Sequence, residues 1–171
     1  MAHGFKGHEI WLAALIVGAD QATKALVRGR FQLGESLTVI DGFFDIARVH
    51  NTGTAFGFMN GVDFPLKSLV LAGIALVALG GLALYLISLP AQQWLARTGL
   101  ALILGGAIGN LIDRIAFGYV TDFVDVYVGT WHFWAFNIAD AAITVGVALM
   151  IFDMMGVASS ARNESTPQPG A

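Results

Sequence analysis

The sequence predicts an all-α membrane bundle of four transmembrane helices, with a small β-sheet and loop gathered on one side. Three observations carry that prediction. Charged residues make up only 12% of the 171-residue chain, and hydrophobic residues 56% before its 21 glycines are counted. A soluble domain carries roughly 25% charge, so this chain cannot clothe a surface that faces water all round. Four apolar stretches approach the length a helix needs to cross about 30 Å of hydrocarbon. The polar residues inside those stretches fall towards one end of the folded-over chain. The composition excludes a soluble globular enzyme and a disordered chain. A net charge of -3 offers nucleic acid no basic surface. With no cysteine there is no disulfide framework, thiol nucleophile or cysteine-ligated metal.

The first span covers residues 10–27. Lys6 precedes it as in a secretory signal, but no small-x-small cleavage site follows and Asp20-Gln21 interrupts the run before it resumes. It reads as a retained span. The connection 28–65 is β-rich: Leu37–Ile40 is mostly β-branched, Asp41-Gly42 is a hairpin dipeptide, and Phe43-Phe44 resumes beyond it. Asn51-Thr52-Gly53 is a second turn signal, and Phe31, Phe43, Phe44, Phe56 and Phe58 suit a sheet at the membrane interface. The second span, 66–89, and the third, 98–117, are joined by a short turn around Pro90–Arg97. After the third, Val120, Asp122, Val124, Val126 and Val128 alternate with Tyr119, Thr121, Phe123, Asp125 and Tyr127, the period of a strand. The fourth span covers 133–155, and residues 157–171 form a polar tail expected to be disordered. Residues 1–156 then form a single integral membrane domain.

Folding the spans antiparallel places Asp20, Asn110, Asp113, Arg114, Asn137 and Asp140 towards one side. The two long connections lie there too. An ionisable group inside a span costs at least ~2.5–3.5 kcal/mol and normally faces the bundle interior with a role. Asp20 has Lys24 at i+4, and Asp113 or Asn110 has Arg114 nearby, so structural pairing accounts for them. Asp140 has no basic residue within a helical turn, seven residues inside its predicted span, about 10 Å along the axis. Asp153, near the far end of that span, is an interfacial charge. Ala101, Gly105 and Gly109 fall at i, i+4 and i+8, a small-residue ridge for helix packing, which Gly106 and Ala107 widen.

Catalytic sets can be eliminated in turn. Ser36 has no positioning motif for a Ser-His-Asp triad. His50 and His132 lack metal-ligand spacing. Asp122, on an otherwise apolar strand face, and Asp140 remain, eighteen residues apart. A close carboxylate pair cannot easily ionise twice, so one member holds a proton while the other is a base for water. Paired intramembrane aspartates also serve proton relays, so the pair alone leaves a proton-coupled transporter subunit open.

Five segments narrow the choice: Asp20-Gln21-x-x-Lys24, Asn51-Thr52-Gly53-Thr54-Ala55-Phe56, Gly105 to Arg114 (GGAIGNLIDR), Val120-Thr121-Asp122-Phe123, and Phe136-Asn137-Ile138-Ala139-Asp140-Ala141. In this order, over four spans, they resemble the lipoprotein signal peptidases (signal peptidase II) from about Ile10 to Met155. Thr54 departs from the family's more frequent alanine. The resemblance implies an aspartic endopeptidase of the bacterial cytoplasmic (inner) membrane, multi-pass, with both termini cytoplasmic and an extracytoplasmic sheet, or cradle, near the active site. It implies diacylglyceryl-prolipoprotein substrates, cut on the amino side of the lipidated cysteine, and no cofactor or metal. Asp122 and Asp140 would be the catalytic pair. Asn51, Asn110, Arg114 and Asn137 would position substrate and dyad, with Asp20 in support. The Asn51 loop would cover a cleft that also takes peptide antibiotics of the globomycin type, and membrane lipid would be the surroundings of a monomer.

Charge bias does not set the orientation. Lys6, Arg97 and Arg162 lie on the expected cytoplasmic side against Arg28, Arg30 and Arg48 on the other. A transporter, the rival class, would need ionisable groups through the full membrane depth. The stretches 10–19, 73–89, 100–109 and 143–152 contain no charged residue.

Overall fold

The computed structural model describes residues 4–5, 7–53 and 66–156. Among these residues four helices and four strands follow in chain order: α1 (Gly7–Arg30), β1 (Ser36–Ile40), β2 (Phe44–Asn51), α2 (Lys67–Ser88), α3 (Trp94–Phe117), β3 (Val120–Val128), β4 (Trp131–His132) and α4 (Ile138–Met154). The strands form one antiparallel sheet in the order β1-β2-β3-β4. Phe56, Phe58 and the 157–171 tail lie outside the described residues.

Among the described residues three helices, α1, α2 and α3, are long and apolar enough to cross a membrane. On α1 and α2 many large apolar side chains point outward, Trp11 77% and Val77 79% exposed, while Asp20, Lys24 and Asp113 are fully buried. This inversion of the water-soluble pattern suits hydrocarbon as solvent. The helix α3 is the central post, with α1, α2 and α4 against it. Its approach to α4 depends on facing glycines: a methyl group at Gly99 would lie 2.6 Å from the Gly146 carbonyl oxygen, and one at Gly106 would strike the Ala139 carbonyl. The predicted ridge residues Gly105 and Gly109 instead face α1, against the Ala13 backbone and the Asp20 carboxylate.

The sheet follows the sequence reading closely. Gly42 takes φ 76° in the turn after β1, closed by the Phe43 N–H to Ile40 carbonyl bond at 3.0 Å. The helix α3 ends where Gly118 adopts φ 79° and donates to the Arg114 carbonyl at 3.1 Å. The chain then turns directly into β3.

The fourth helix departs from expectation. It begins at Ile138 rather than at residue 133, and at 17 residues it spans roughly 26 Å. Residues 133–136 are extended and pair with β3: Phe133 N–H donates to Val126 O at 2.8 Å, and Phe136 exchanges bonds with Val124 at 2.8 and 3.1 Å. An unbroken apolar run does not distinguish a helix from a buried strand. Asn137 marks the boundary, with extended φ −134° and ψ −176° and a side chain that caps the helix. Asp140 is therefore in the first turn of α4, not seven residues deep.

At the opposite end of the bundle the sequence reading anticipated only a closing turn. There Glu9 and Arg97 are both buried, 1% and 2% exposed. Arg97 Nε and Nη2 donate to the two Glu9 oxygens at 2.5 and 2.8 Å. Its remaining N–H groups reach the carbonyls of Leu86, Leu89 and Gly4 at 3.0, 2.7 and 2.9 Å. Arg97 thus donates to carbonyls at the end of α2, where the helix runs out of backbone donors. It is a structural tie rather than a topological charge at the membrane surface.

Candidate active site

The end of the bundle beneath the sheet holds a continuous polar network. Asp122, in β3, is 2% exposed, and both of its oxygens accept side-chain amides: Oδ1 from Asn137 Nδ2 at 2.6 Å and Oδ2 from Asn51 Nδ2 at 3.0 Å. Strand pairing sets this geometry, since β2 and β3 place Asn51 opposite Val120 and Val49 opposite Asp122. Asn51 Oδ1 also accepts the Gly53 N–H at 3.0 Å, which fixes its amide in an Asx turn.

Asn137 carries the link from Asp122 to Asp140. Its Oδ1 accepts the Asp140 N–H at 3.0 Å, and its own N–H donates to Asp140 Oδ2 at 3.3 Å, a reciprocal capping box. Asp140 Oδ1 accepts from Asn110 Nδ2 at 2.8 Å. The two carboxylates predicted to act together are therefore held from both sides of one asparagine.

Burial drives the Asp122 carboxyl up to about 7 from its ordinary value near 3.8, and the neighbouring Asp140 charge adds to the rise. The Asn51 and Asn137 hydrogen bonds and the Lys24 charge pull the other way and do not prevail.

Behind the pair, Lys24 Nζ donates to Asn110 Oδ1 at 2.9 Å and lies 2.8 Å from Asp20 Oδ2 and 3.5 Å from Asp113 Oδ2. The predicted Asp20–Lys24 pair is present. Asp20 Oδ1 also accepts the Ala139 N–H at 3.0 Å, joining α1 to the start of α4. The expected Asp113–Arg114 pairing is replaced, since the two side chains point to different partners. Asp113 takes Arg28 Nη1 at 3.3 Å, Gln21 Nε2 at 3.2 Å and the Thr121 N–H at 2.9 Å. Arg114 donates to the carbonyls of Gly53 at 3.0 Å and Asn110 at 3.4 Å. It ties the Asn51 turn to α3.

Sequence reasoning missed Gln21, Arg28 and Thr121, and saw in Lys24 only a partner for Asp20. The signal was available: Asp20, Lys24 and Arg28 recur at i, i+4 and i+8 along one face of an apolar helix. His50 and His132 lie apart in function: His50 stacks on Tyr119 at 3.5 Å, and His132 bonds Asp125 at 3.0 Å on the outer strand.

Two cavities meet at Asp140 and Asn51. One, of about 830 Å³, runs along α4 and is walled by apolar side chains that include Phe133, Trp134, Phe136 and Val147. The other, of about 230 Å³, lies between α2, α3 and α4 and contains Asn110 and Arg114 beside Leu71 and Ile74.

Apolar helices outside and a convergent polar cluster inside define a multi-pass membrane protein with a built site at one end. Comparison with known proteins gives the particular kind. The family model described as "Signal peptidase (SPase) II" matches residues 12–156. The chain is 47% identical over 143 residues to a lipoprotein signal peptidase of Syntrophus aciditrophicus, covering 84% of this chain and 89% of that protein. It is 46% identical over 145 residues to one of Geobacter sulfurreducens, covering 83% and 89%. A solved structure described as a "Bacterial membrane enzyme structure by the in meso method" superposes with a TM-score of 0.80 at 29% identity, covering 99% of this chain and 97% of its own. A second gives 0.78 at 29% identity, covering 91% and 97%. The chain belongs to the signal peptidase II family and is a peptidase.

Proposed function

We propose that this protein is an aspartic endopeptidase that removes the signal peptide from diacylglyceryl-modified prolipoproteins, cutting on the amino side of the lipidated cysteine. The observation that carries the mechanism is the bridging of Asp122 and Asp140 by Asn137, at 2.6 Å to one carboxylate and 3.0 Å to the backbone of the other. Family membership carries the substrate class.

Asp122, buried and pushed up to about 7, is the member that holds the shared proton at rest. Asp140 lines both cavities, where water and substrate arrive, and is the base. Asp140 takes a proton from water as its oxygen attacks the scissile carbonyl, while Asp122 gives its proton to the carbonyl oxygen. Collapse of the tetrahedral diol returns a hydroxyl proton to Asp122, and Asp140 passes its own to the leaving amine. Each turnover therefore restores the starting protonation, with no metal or other cofactor in the cycle. Asn51, Asn110, Arg114 and Asn137 keep the pair and the substrate backbone in place.

The apolar cavity along α4 suits a lipid-borne acyl chain or signal helix entering sideways from the bilayer. On this reading α4 is the fourth span, with the extended aromatic segment before it lengthening its apolar reach. The protein lies in the bacterial cytoplasmic membrane, both termini are cytoplasmic, and the sheet is on the outer face. It works as a monomer, and peptide antibiotics of the globomycin type compete for the cleft. Incubating the detergent-solubilised protein with lipidated and unlipidated prolipoprotein tests this reading. Mass spectrometry should find a product beginning at the lipidated cysteine; equal cleavage of the unlipidated form, or a different new terminus, contradicts it.

A further inference from the structure

Lys24 is fully buried in the middle of the site, yet no step of the reaction uses it. Its contacts are specific. The ammonium carries three donors and no acceptor, and they meet Asp20 Oδ2 at 2.8 Å, Asn110 Oδ1 at 2.9 Å and Asp113 Oδ2 at 3.5 Å. An asparagine side chain has two unlike ends, and only its oxygen can face an ammonium. Asn137 Nδ2 approaches the same oxygen at 3.2 Å. The amide nitrogen of Asn110 is thereby left to face Asp140 Oδ1, which it reaches at 2.8 Å.

The second effect is electrostatic. Among the described residues of the hydrogen-bonded cluster, the cations are Lys24 and Arg28 from α1 and Arg114 from α3. The carboxyl groups are Asp20 from α1, Asp113 from α3, Asp122 from β3 and Asp140 from α4. The sheet strand β2 contributes uncharged Asn51, with His50 beside it, and α2 contributes Ser68, with Lys67 beside it. Three cations against four carboxyl groups balance when one proton stays on the Asp122–Asp140 pair. Removing the ammonium leaves the cluster negative and favours a second proton on the pair, which abolishes the base.

We propose that Lys24 is a positioning residue for the reaction, holding the Asn110 amide with its N–H towards Asp140 and balancing the cluster so that the pair retains one proton. This rests on the aspartic-peptidase reading above.

Wild type, Lys24→Met, Lys24→Gln and Lys24→Arg are compared for kcat and KM across pH, using a diacylglyceryl-prolipoprotein. Lys24→Met should lower kcat roughly ten- to hundred-fold with KM unchanged, and move the acidic limb of kcat up by about one pH unit. Lys24→Gln keeps an N–H for Asn110 and fills more polar space; it should move the limb alike while retaining more of kcat, and it carries the test if the methionine variant does not fold. Lys24→Arg should restore the limb. A merely structural lysine would reduce folded protein without moving the limb, and an unmoved limb in both neutral variants overturns the inference. Asp122→Asn and Asp140→Asn, run alongside, separate the two ideas: if either cleaves, the aspartic reading fails; if both are inactive and the limb is unmoved, only the role of Lys24 fails.

Discussion

Asn137 and Asp140 cap each other at the start of α4: the Asn137 side-chain oxygen accepts the Asp140 N–H at 3.0 Å, and Asp140 Oδ2 accepts the Asn137 N–H at 3.3 Å. The helix terminus and the candidate site are thus one arrangement. The same asparagine reaches Asp122 with its nitrogen, so stability and activity can be separated at this position. Asn137→Ser keeps a capping oxygen but cannot extend to Asp122. Thermal unfolding followed by helix circular dichroism should show a loss of only a few tenths to about 1 kcal/mol, while kcat falls roughly a hundred-fold. A kcat close to wild type would mean that Asn137 matters only as a cap.

The Asp122 carboxyl gives a pH signature in stability. Its folded value near 7 lies above its unfolded value of 3.8, so the folded chain binds this proton more tightly. The cost of ionising it in the fold is absent below about pH 4, grows between pH 4 and 7, and is complete above that. Asp122→Asn carries a fixed penalty, because its amide NH2 meets one of the two amide donors that the carboxylate accepts, but it does not titrate. The Tm of Asp122→Asn relative to wild type should therefore rise as pH is raised from 4.5 to 8. A constant difference would place Asp122 in its ordinary ionised state.

Glycine contacts between α3 and α4 set the distance between the helices that carry the site. Gly106→Ala drives a methyl group into the Ala139 carbonyl, one residue from Asp140, and should cost about 1–3 kcal/mol and reduce kcat. Gly73→Ala, in α2 with open space around it, should leave Tm unchanged or slightly raised. The pair of substitutions, measured by unfolding and turnover in the same detergent, distinguishes close packing from general helix propensity.

The buried Glu9–Arg97 pair should behave as a structural tie remote from the chemistry. Arg97→Met removes the guanidinium from a buried carboxylate and from three carbonyls, and breaking such a pair costs about 3–5 kcal/mol. Tm should drop sharply while kcat at a permissive temperature stays close to wild type. A selective loss of kcat with Tm preserved would couple this end to the site.

Much of this architecture was legible in the residues because local chemistry and tertiary role agree. The Asp41-Gly42 turn needed a positive φ at glycine, and the valine alternation from Val120 described β3 correctly. Asp122 stood out because a carboxylate on an apolar strand face is costly, and Asp140 because no cation lay within a turn. The start of α4 was hidden, because residues 133–136 are as apolar as a helix yet are used in pairing with β3. Arg97 counted only as a charge on one side of the membrane, because its partner, Glu9, is 88 residues away. The same distance in sequence concealed the Asp113 partners Gln21 and Arg28, which only the packing of α1 on α3 brings together.

The central claim, that Asp122 and Asp140 together activate water, is tested most directly by cleavage of a diacylglyceryl-modified prolipoprotein by wild type, Asp122→Asn and Asp140→Asn. Each protein is first shown to be folded by its unfolding transition. Wild type should release a product beginning at the lipidated cysteine, and both folded variants should show no cleavage above background. Cleavage surviving in either variant would contradict the account by removing that carboxylate from the chemistry.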